Sequence, residues 1–270
     1  MSTLKNYFLK LFKSHFSGKK QFQKFFNFTK ILSIQGLNFG DGGAIETGGE
    51  ATLMRLLEKR YTENRTYIIF DVGANQGGYC SALLANIGIK DLQVWCFEPA
   101  PGTFKILQTN HGAKDNVFLY NIGFSNESGD IPLYHTGNQW DMASLFQPEP
   151  SHGGKGKGSD FELVTIKTID DFISENSIPY IDLLKMDIEG NELNALRGAE
   201  SAIESNKIKA IQFEFGVCNI DSRTFFRDFW NLLSPRYNIF RIVKNGLQPV
   251  THYTEYDEVF STINYYAELK

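Results

Sequence analysis

Past residue 50 the chain alternates between two hydrophobic periods. Residues 67–72, 93–97, 117–122, 161–166, 181–186 and 210–215 are short runs rich in β-branched and aromatic side chains, the mark of buried strands. Between them, residues 50–61, 79–86, 103–110, 169–175 and 193–202 place apolar side chains at three- and four-residue spacing, as with Leu53, Leu56 and Leu57, and these predict helices. Residues 130–145 read as a β excursion, and the tail beyond 223 as one helix around 225–233 followed by final strands. Strands alternating with helices predict an α/β fold: a Rossmann-like, mostly parallel sheet with right-handed crossovers and helices on both faces. In such a sheet ligands lie beyond the carboxyl ends of the strands. The residues just after each strand are therefore the candidates for function.

Two stretches fall outside this pattern. Leu4, Phe8, Leu11, Phe12 and Phe16 recur at helical spacing among Lys5, Lys10, Lys13, Lys19, Lys20, Lys24 and Lys30, and the first acidic residue is Asp41. Residues 1–44 read as a basic, aromatic helical appendage, and 45–270 as the main domain. Packing on that domain, a homo-oligomer contact and an interfacial helix on an anionic membrane all suit the appendage. The glycine-rich stretch 36–49 and residues 148–160, PEPSHGGKGKGSD, lack core-forming side chains and read as loops. The second is a candidate cover for an acceptor, with Trp140 and Ser144 ahead of it and His135 and His152 as available proton carriers.

The 270 residues carry 27 basic and 31 acidic side chains, a net charge of −4, which argues against a nucleic-acid partner. Cys80, Cys96 and Cys218 are far apart and form no CxxC, so neither a disulfide scaffold nor a zinc site of usual spacing is expected. A reduced, cytoplasmic setting is the expectation. No apolar run approaches the length of a membrane span, and the first residues lack the pattern of a secretory signal.

The first strand ends in Asp71-Val72-Gly73-Ala74-Asn75-Gln76-Gly77. Gly73 lets the backbone pass close to a ligand, and Gly77 lets the next helix approach the strand. A dinucleotide fingerprint would place a glycine where Asn75 stands, which weakens that reading. The acid Asp71 suits a ligand with a cationic part. The second strand ends in Glu98-Pro99, where a carboxylate can accept both hydroxyls of a ribose. At the third tip, Asn121 can hydrogen-bond to adenine and Ile122 offers it an apolar face. The strand LLKM ends in Asp187-Ile188-Glu189-Gly190, where two acids on an extended segment would point to one side. Acids there are costly unless they bind something, although Glu192 can simply cap the helix that follows.

Taken in order, DVGANQGGY, CFEPAPGTFKIL, NIGFSNESG, VTIKTIDDFI, IDLLKMDIEGNELNALRGAE and IQFEF resemble the FkbM-type methyltransferases over roughly residues 45–216. That resemblance implies a class I, S-adenosylmethionine-dependent fold acting mostly on hydroxyl groups of sugars, glycans and related metabolites. By position, Asp71, Gly73 and Asn75 match the turn on the methionine side, and Glu98 the ribose acid. Asn121 matches the adenine-side tip, and Asp187 the acid beside the transferred methyl. Glu50 matches an acid that meets the cofactor's amino group. Asp187 is the leading base or orienting group, with Glu189 and Glu214 as weaker candidates. The same three acids could instead gather a magnesium or calcium ion, although no metal is predicted. A nicotinamide-dependent oxidoreductase, a non-catalytic interaction module, and a methylase of nucleic acid or protein are the competing readings.

Overall fold

Strand β1, Tyr67–Val72, is apolar on both faces, and this decides the architecture. The computed structural model describes residues 2–40, 48–61, 65–136, 139–146 and 160–270, and in it every residue of β1 is buried. Ile68, Phe70 and Val72 enter one hydrophobic cluster, while Tyr67 and Ile69 enter another on the opposite face, as side-chain alternation along a strand requires. A strand buried on both sides must be covered by helices on both sides.

Helices α1 (Ser2–His15), α2 (Gln23–Gly36) and α3 (Glu50–Arg60) lie ahead of β1. Then follow α4 (Gly78–Asn86), β2 (Leu92–Phe97), α5 (Pro101–His111) and β3 (Val117–Tyr120). The β excursion comprises β4 (Gly123–Phe124), β5 (Gly129–Thr136), β6 (Gln139–Ser144) and β7 (Asp160–Lys167). Helix α6 (Ile169–Glu175), β8 (Leu183–Met186), α7 (Glu192–Arg197), α8 (Glu200–Glu204) and β9 (Ala210–Phe215) complete the parallel part. The chain ends with α9 (Cys218–Asp221), α10 (Phe226–Leu233), β10 (Tyr237–Val243), β11 (Gly246–Val250) and β12 (Ile263–Leu269).

The main sheet runs β11-β10-β12-β9-β8-β1-β2-β3. From β9 to β3 all neighbours are parallel, and β12 enters between β9 and β10 antiparallel to both. This is a Rossmann-like doubly wound sheet closed at one edge by reversed strands. Leu53 and Leu57 of α3 and Leu83 of α4 cover one face. On the other, Phe172 of α6 lies edge-on to Phe97 and Tyr120 at 4.9 Å between ring centres, with Phe226 and Phe229 of α10 further along. Burying one phenylalanine of this kind stabilises the fold by about 2–3 kcal/mol.

Two departures from the sequence reading have local causes. The third strand stops at Tyr120, so Asn121 and Ile122 lie past its end, and the chain then joins a second sheet of order β4-β7-β5-β6. The helix expected over 193–202 breaks into α7 and α8 at Gly198, where a Cβ would come within 2.1 Å of the Ser125 carbonyl oxygen. The segment expected to cover an acceptor, and His152 within it, lie outside the described residues at 147–159, as does the side chain of Trp140.

Helices α1 and α2 pair through aromatic rings, Phe12 with Phe26 at 5.7 Å and Phe16 with Phe22 at 5.2 Å. From Asn6 to Leu37, only Phe22, Phe26, Thr29 and Ile34 are even partly buried. The hairpin joins the body at its far end: Phe39 enters the core, and the Gly40 amide donates to the Thr262 carbonyl at 2.8 Å. Among the described residues no helix is long and apolar enough to cross a membrane.

Candidate active site

The turn after β1 folds as it does because its glycines and Asn75 take left-handed backbone angles: φ is +77° at Gly73, +49° at Asn75 and +91° at Gly77. At Gly73 the need is steric as well, since a Cβ there would sit 1.9 Å from the Asp187 carbonyl oxygen. The β1 turn and the β8 tip are thus in direct backbone contact. Gly77 has a different neighbour from the one expected. A Cβ on it would strike His111 and Leu107 of α5 at 2.4 and 2.9 Å, so it admits that helix rather than the strand, and it does not line the cleft described next.

A cleft opens at the carboxyl rim of the sheet. One wall is Gly73, Asn75, Glu98 and Pro99; the facing wall is Asp187, Ile188, Glu189 and Asn191. Gly123, Phe124, Leu133, Ala143, Leu145 and Ile166, mostly from the second sheet, form an apolar roof. Glu98 is held by two backbone amides, Asn75 donating at 3.0 Å and Ala100 at 2.9 Å. Burial pushes its carboxyl up to about 7 even though both amides favour the ionised form. Asn121 donates its side-chain amide to the Glu98 and Pro99 carbonyls at 2.8 and 2.9 Å. It braces the second tip from outside the cleft, with Ile122 packed against the core beside it.

Behind the β1 and β8 tips lies a buried cation. Lys185 stands in register with Asp71 across the two strands. Its ammonium is 3.2 Å from Asp71 Oδ1 and 3.7 Å from Asp187 Oδ2, and faces the Tyr79 ring at 5.0 Å. Burial alone would discharge such an amine, but the Asp71, Asp187 and Glu50 carboxylates more than offset it and hold the ammonium charged. Asp71 is fully buried, and burial pushes its carboxyl up against the pull of Lys185. Asp71 Oδ2 has no hydrogen-bond partner among the described residues. Glu50, at the start of α3, accepts from Gln212 at 2.5 Å and from Asn264 at 3.4 Å, and burial raises it to about 7. Gln212 in turn accepts from the Tyr79 hydroxyl at 2.8 Å.

The acidic strand end differs from the extended arrangement expected. Glu189 has φ +52° and Gly190 +98°, so Asp187 and Glu189 share the cleft through a turn, not by alternation. The Glu189 carboxylate accepts from the Cys218 thiol at 2.7 Å, and burial raises its proton affinity. Glu192 does bond the turn: it accepts from the Ile188 amide at 2.8 Å and the Gly190 amide at 3.3 Å. Glu214 hydrogen-bonds to Asp187, and burial followed by that neighbouring carboxylate pushes it far up, so it is the protonated partner. Asp187, Glu189 and Glu214 do not gather as a metal-ligand cluster among the described residues.

Of the residues singled out from sequence, Gly73, Asn75, Glu98, Pro99, Asp187 and Glu189 meet in one cleft. Glu50 and Asp71 sit behind it with Lys185, and Glu214 behind Asp187, while Gly77, Asn121 and Ile122 support the turns. Sequence reasoning missed Lys185 and the whole apolar roof. A lysine inside the apolar run LLKM was the available signal, because an amine on a buried strand requires acid partners.

A family model described as the methyltransferase FkbM domain matches residues 71–241, well over half of the chain. The hexuronic acid methyltransferase AglP of Haloferax volcanii is 31% identical over 173 residues, covering 63% of this chain and 64% of that protein. The 2-O-methyltransferase NoeI of Sinorhizobium fredii is 26% identical over 149 residues, covering 52% and 60%. The chain thus spans less than two thirds of either relative. The crystal structure of methyltransferase FkbM from Methylobacillus flagellatus aligns with a TM-score of 0.47 at 21% identity, over 78% of this chain and 47% of that one. The matched segment begins at Asp71, takes in Glu98, Asp187 and Glu214, and ends in β10, so it encloses both walls of the cleft: the chain belongs to the FkbM methyltransferase family.

Proposed function

We propose that this chain is an S-adenosylmethionine-dependent O-methyltransferase whose acceptor is a hydroxyl of a sugar, glycan or related metabolite. The observation that carries the reading is the meeting of Glu98, Asp187 and Glu189 in one cleft beside the Gly73–Asn75 turn. The residues present fit such a cofactor: its positive charge suits an acid-lined wall, and its ribose suits a carboxylate anchored at the second strand tip. When bound, the cofactor supplies a methyl group already activated by a positive sulfur.

The roles of the chain's own groups follow from their placement. Glu98 accepts from ribose hydroxyls, while Pro99 and Gly123 border the base side, with Asn121 and Ile122 bracing that wall. Gly73 and Asn75 offer backbone on the methionine side, and Asp71 and Glu50 set the charge of the Lys185 cluster behind it. Asp187, its side chain two-fifths exposed, accepts the proton of the acceptor hydroxyl. Glu214 donates to Asp187 and fixes its orientation, and the Lys185 ammonium lies 3.7 Å from its Oδ2. Glu189 borders the same wall. The relatives named for a hexuronic acid and a 2-O position support a carbohydrate acceptor.

The test is calorimetry with S-adenosylhomocysteine, followed by transfer of labelled methyl groups to nucleotide-sugar and glycan pools. Binding and a labelled carbohydrate product are expected; no binding overturns the reading. Asp187→Asn is expected to lose about a hundredfold or more in turnover, with S-adenosylhomocysteine affinity changed little. Full turnover in that variant removes Asp187 from its role.

A further inference from the structure

The hairpin of α1 and α2 is lopsided in charge. Its forty residues hold seven lysines and no acid, and since the whole chain stands at −4, the remainder stands at −11. Its outward side is apolar: Phe8 is 71% exposed, Phe25 60%, Phe28 59% and Ile31 55%. Phe12, Phe16, Phe22 and Phe26 make ring contacts with one another across the hairpin, and the more exposed aromatics are additional to these. We propose that this hairpin docks the protein on an anionic lipid surface, with the phenylalanines entering the interface and the lysines meeting lipid headgroups.

Charge and position favour lipid over a second copy. Two such hairpins face to face would oppose seven positive charges with seven more, whereas amphipathic helices rich in lysine and phenylalanine lie at anionic interfaces. The hairpin is also anchored beside further exposed apolar surface. The Gly40 amide bonds the Thr262 carbonyl. Gly216 lies against Thr262, so close that a Cβ on it would be 2.7 Å from the Thr262 Cα. From Gly216 the chain passes through Val217 into α9, and Val217 and Ile220 are exposed. The same α9 supplies Cys218, whose thiol reaches Glu189 in the cleft wall. Hairpin, apolar lip and cleft therefore share the carboxyl rim of the sheet. Docking through the first two brings the third to the membrane surface.

The experiment is co-sedimentation of the full chain with vesicles of equal parts phosphatidylcholine and phosphatidylglycerol, against vesicles of phosphatidylcholine alone. Binding to the first and not the second is expected, and it should weaken with added salt. The triple variant Lys10→Glu/Lys13→Glu/Lys24→Glu should lose at least a hundredfold in partitioning, at roughly fivefold or more per lysine. Phe8→Ser/Phe25→Ser/Phe28→Ser should lose binding while keeping the wild-type melting temperature, because these side chains are exposed. If the wild-type chain stays in the supernatant with both vesicles, the proposal fails. It also fails if the chain forms a hairpin-dependent dimer in solution and ignores lipid. Sedimentation is read without cofactor, so either outcome leaves the methyl-transfer reading standing or falling on its own test.

Discussion

Replacing Lys185 with methionine removes the cation while keeping most of the side-chain volume. Lys185 is buried, as are Asp71 and Glu50, and its ammonium lies 3.2 Å from Asp71. Taking one partner from a buried ion pair leaves the other charge without compensation and costs about 3–5 kcal/mol. For a chain of this size each kcal/mol lowers the melting temperature by about 2–4 °C, so Lys185→Met should melt about 10 °C below wild type. The loss should depend on pH in a definite direction. Without the cation, burial raises the folded-state proton affinity of Asp71 further above its unfolded value. An acid raised on folding destabilises the fold progressively as pH climbs from the unfolded to the folded pKa. The deficit of the variant should therefore shrink as pH is lowered toward about 5 and widen toward about 8. Chemical denaturation of Lys185→Met, Asp71→Asn and the double variant closes the cycle. The double variant should recover more than half of what Lys185→Met loses. A coupling energy below about 1 kcal/mol would refute the ion pair as the organiser of this cluster.

Three further outcomes follow from the cleft. S-adenosylhomocysteine affinity should rise with pH through about 7, because Glu98 must ionise to accept the ribose hydroxyls; calorimetry at about pH 6 and about pH 8 reads the slope, and Glu98→Gln should flatten it. Glu214→Leu removes the hydrogen bond that holds Asp187, so kcat should fall about tenfold or more with S-adenosylhomocysteine affinity changed little, while Glu214→Gln, which can still donate, should keep most of the rate; an unchanged kcat in the leucine variant removes Glu214 as a positioning residue. Gly73→Ala should destabilise the fold by more than about 2 kcal/mol, read by urea denaturation, since its φ is +77° and the Asp187 carbonyl occupies the space of the new methyl.

The apolar runs at 67–72, 181–186 and 210–215 made the parallel core legible, because strands buried on both faces need little beyond hydrophobicity to identify them. The tips could be read from it in turn: Glu98 and Asp187 fall where a doubly wound sheet puts its ligands. What sequence could not supply was register and backbone hand. That Asp71 pairs with Lys185 depends on how β1 slides against β8, a choice no local pattern records. Glu189 adopts a left-handed conformation that an extended reading of DIEG could not anticipate. The roof assembles from β4, β5, β6 and β7, whose apolar positions are too sparse to announce that Leu133, Ala143 and Leu145 converge over one cleft.

The missing side chain at Gly73 does more than admit a turn. The β1 loop rests on the Asp187 carbonyl with no room for another atom, so the Gly73 turn and the backbone of Asp187 are packed as one unit. The antiparallel canopy is tied to the same strand end by the Ser144 hydroxyl, which donates to the Glu189 carbonyl at 2.8 Å. On the proposed methyl-transfer reading, the groups that would meet the methyl donor and the hydroxyl are thus set against each other before either reactant arrives, and the canopy is left to set acceptor preference.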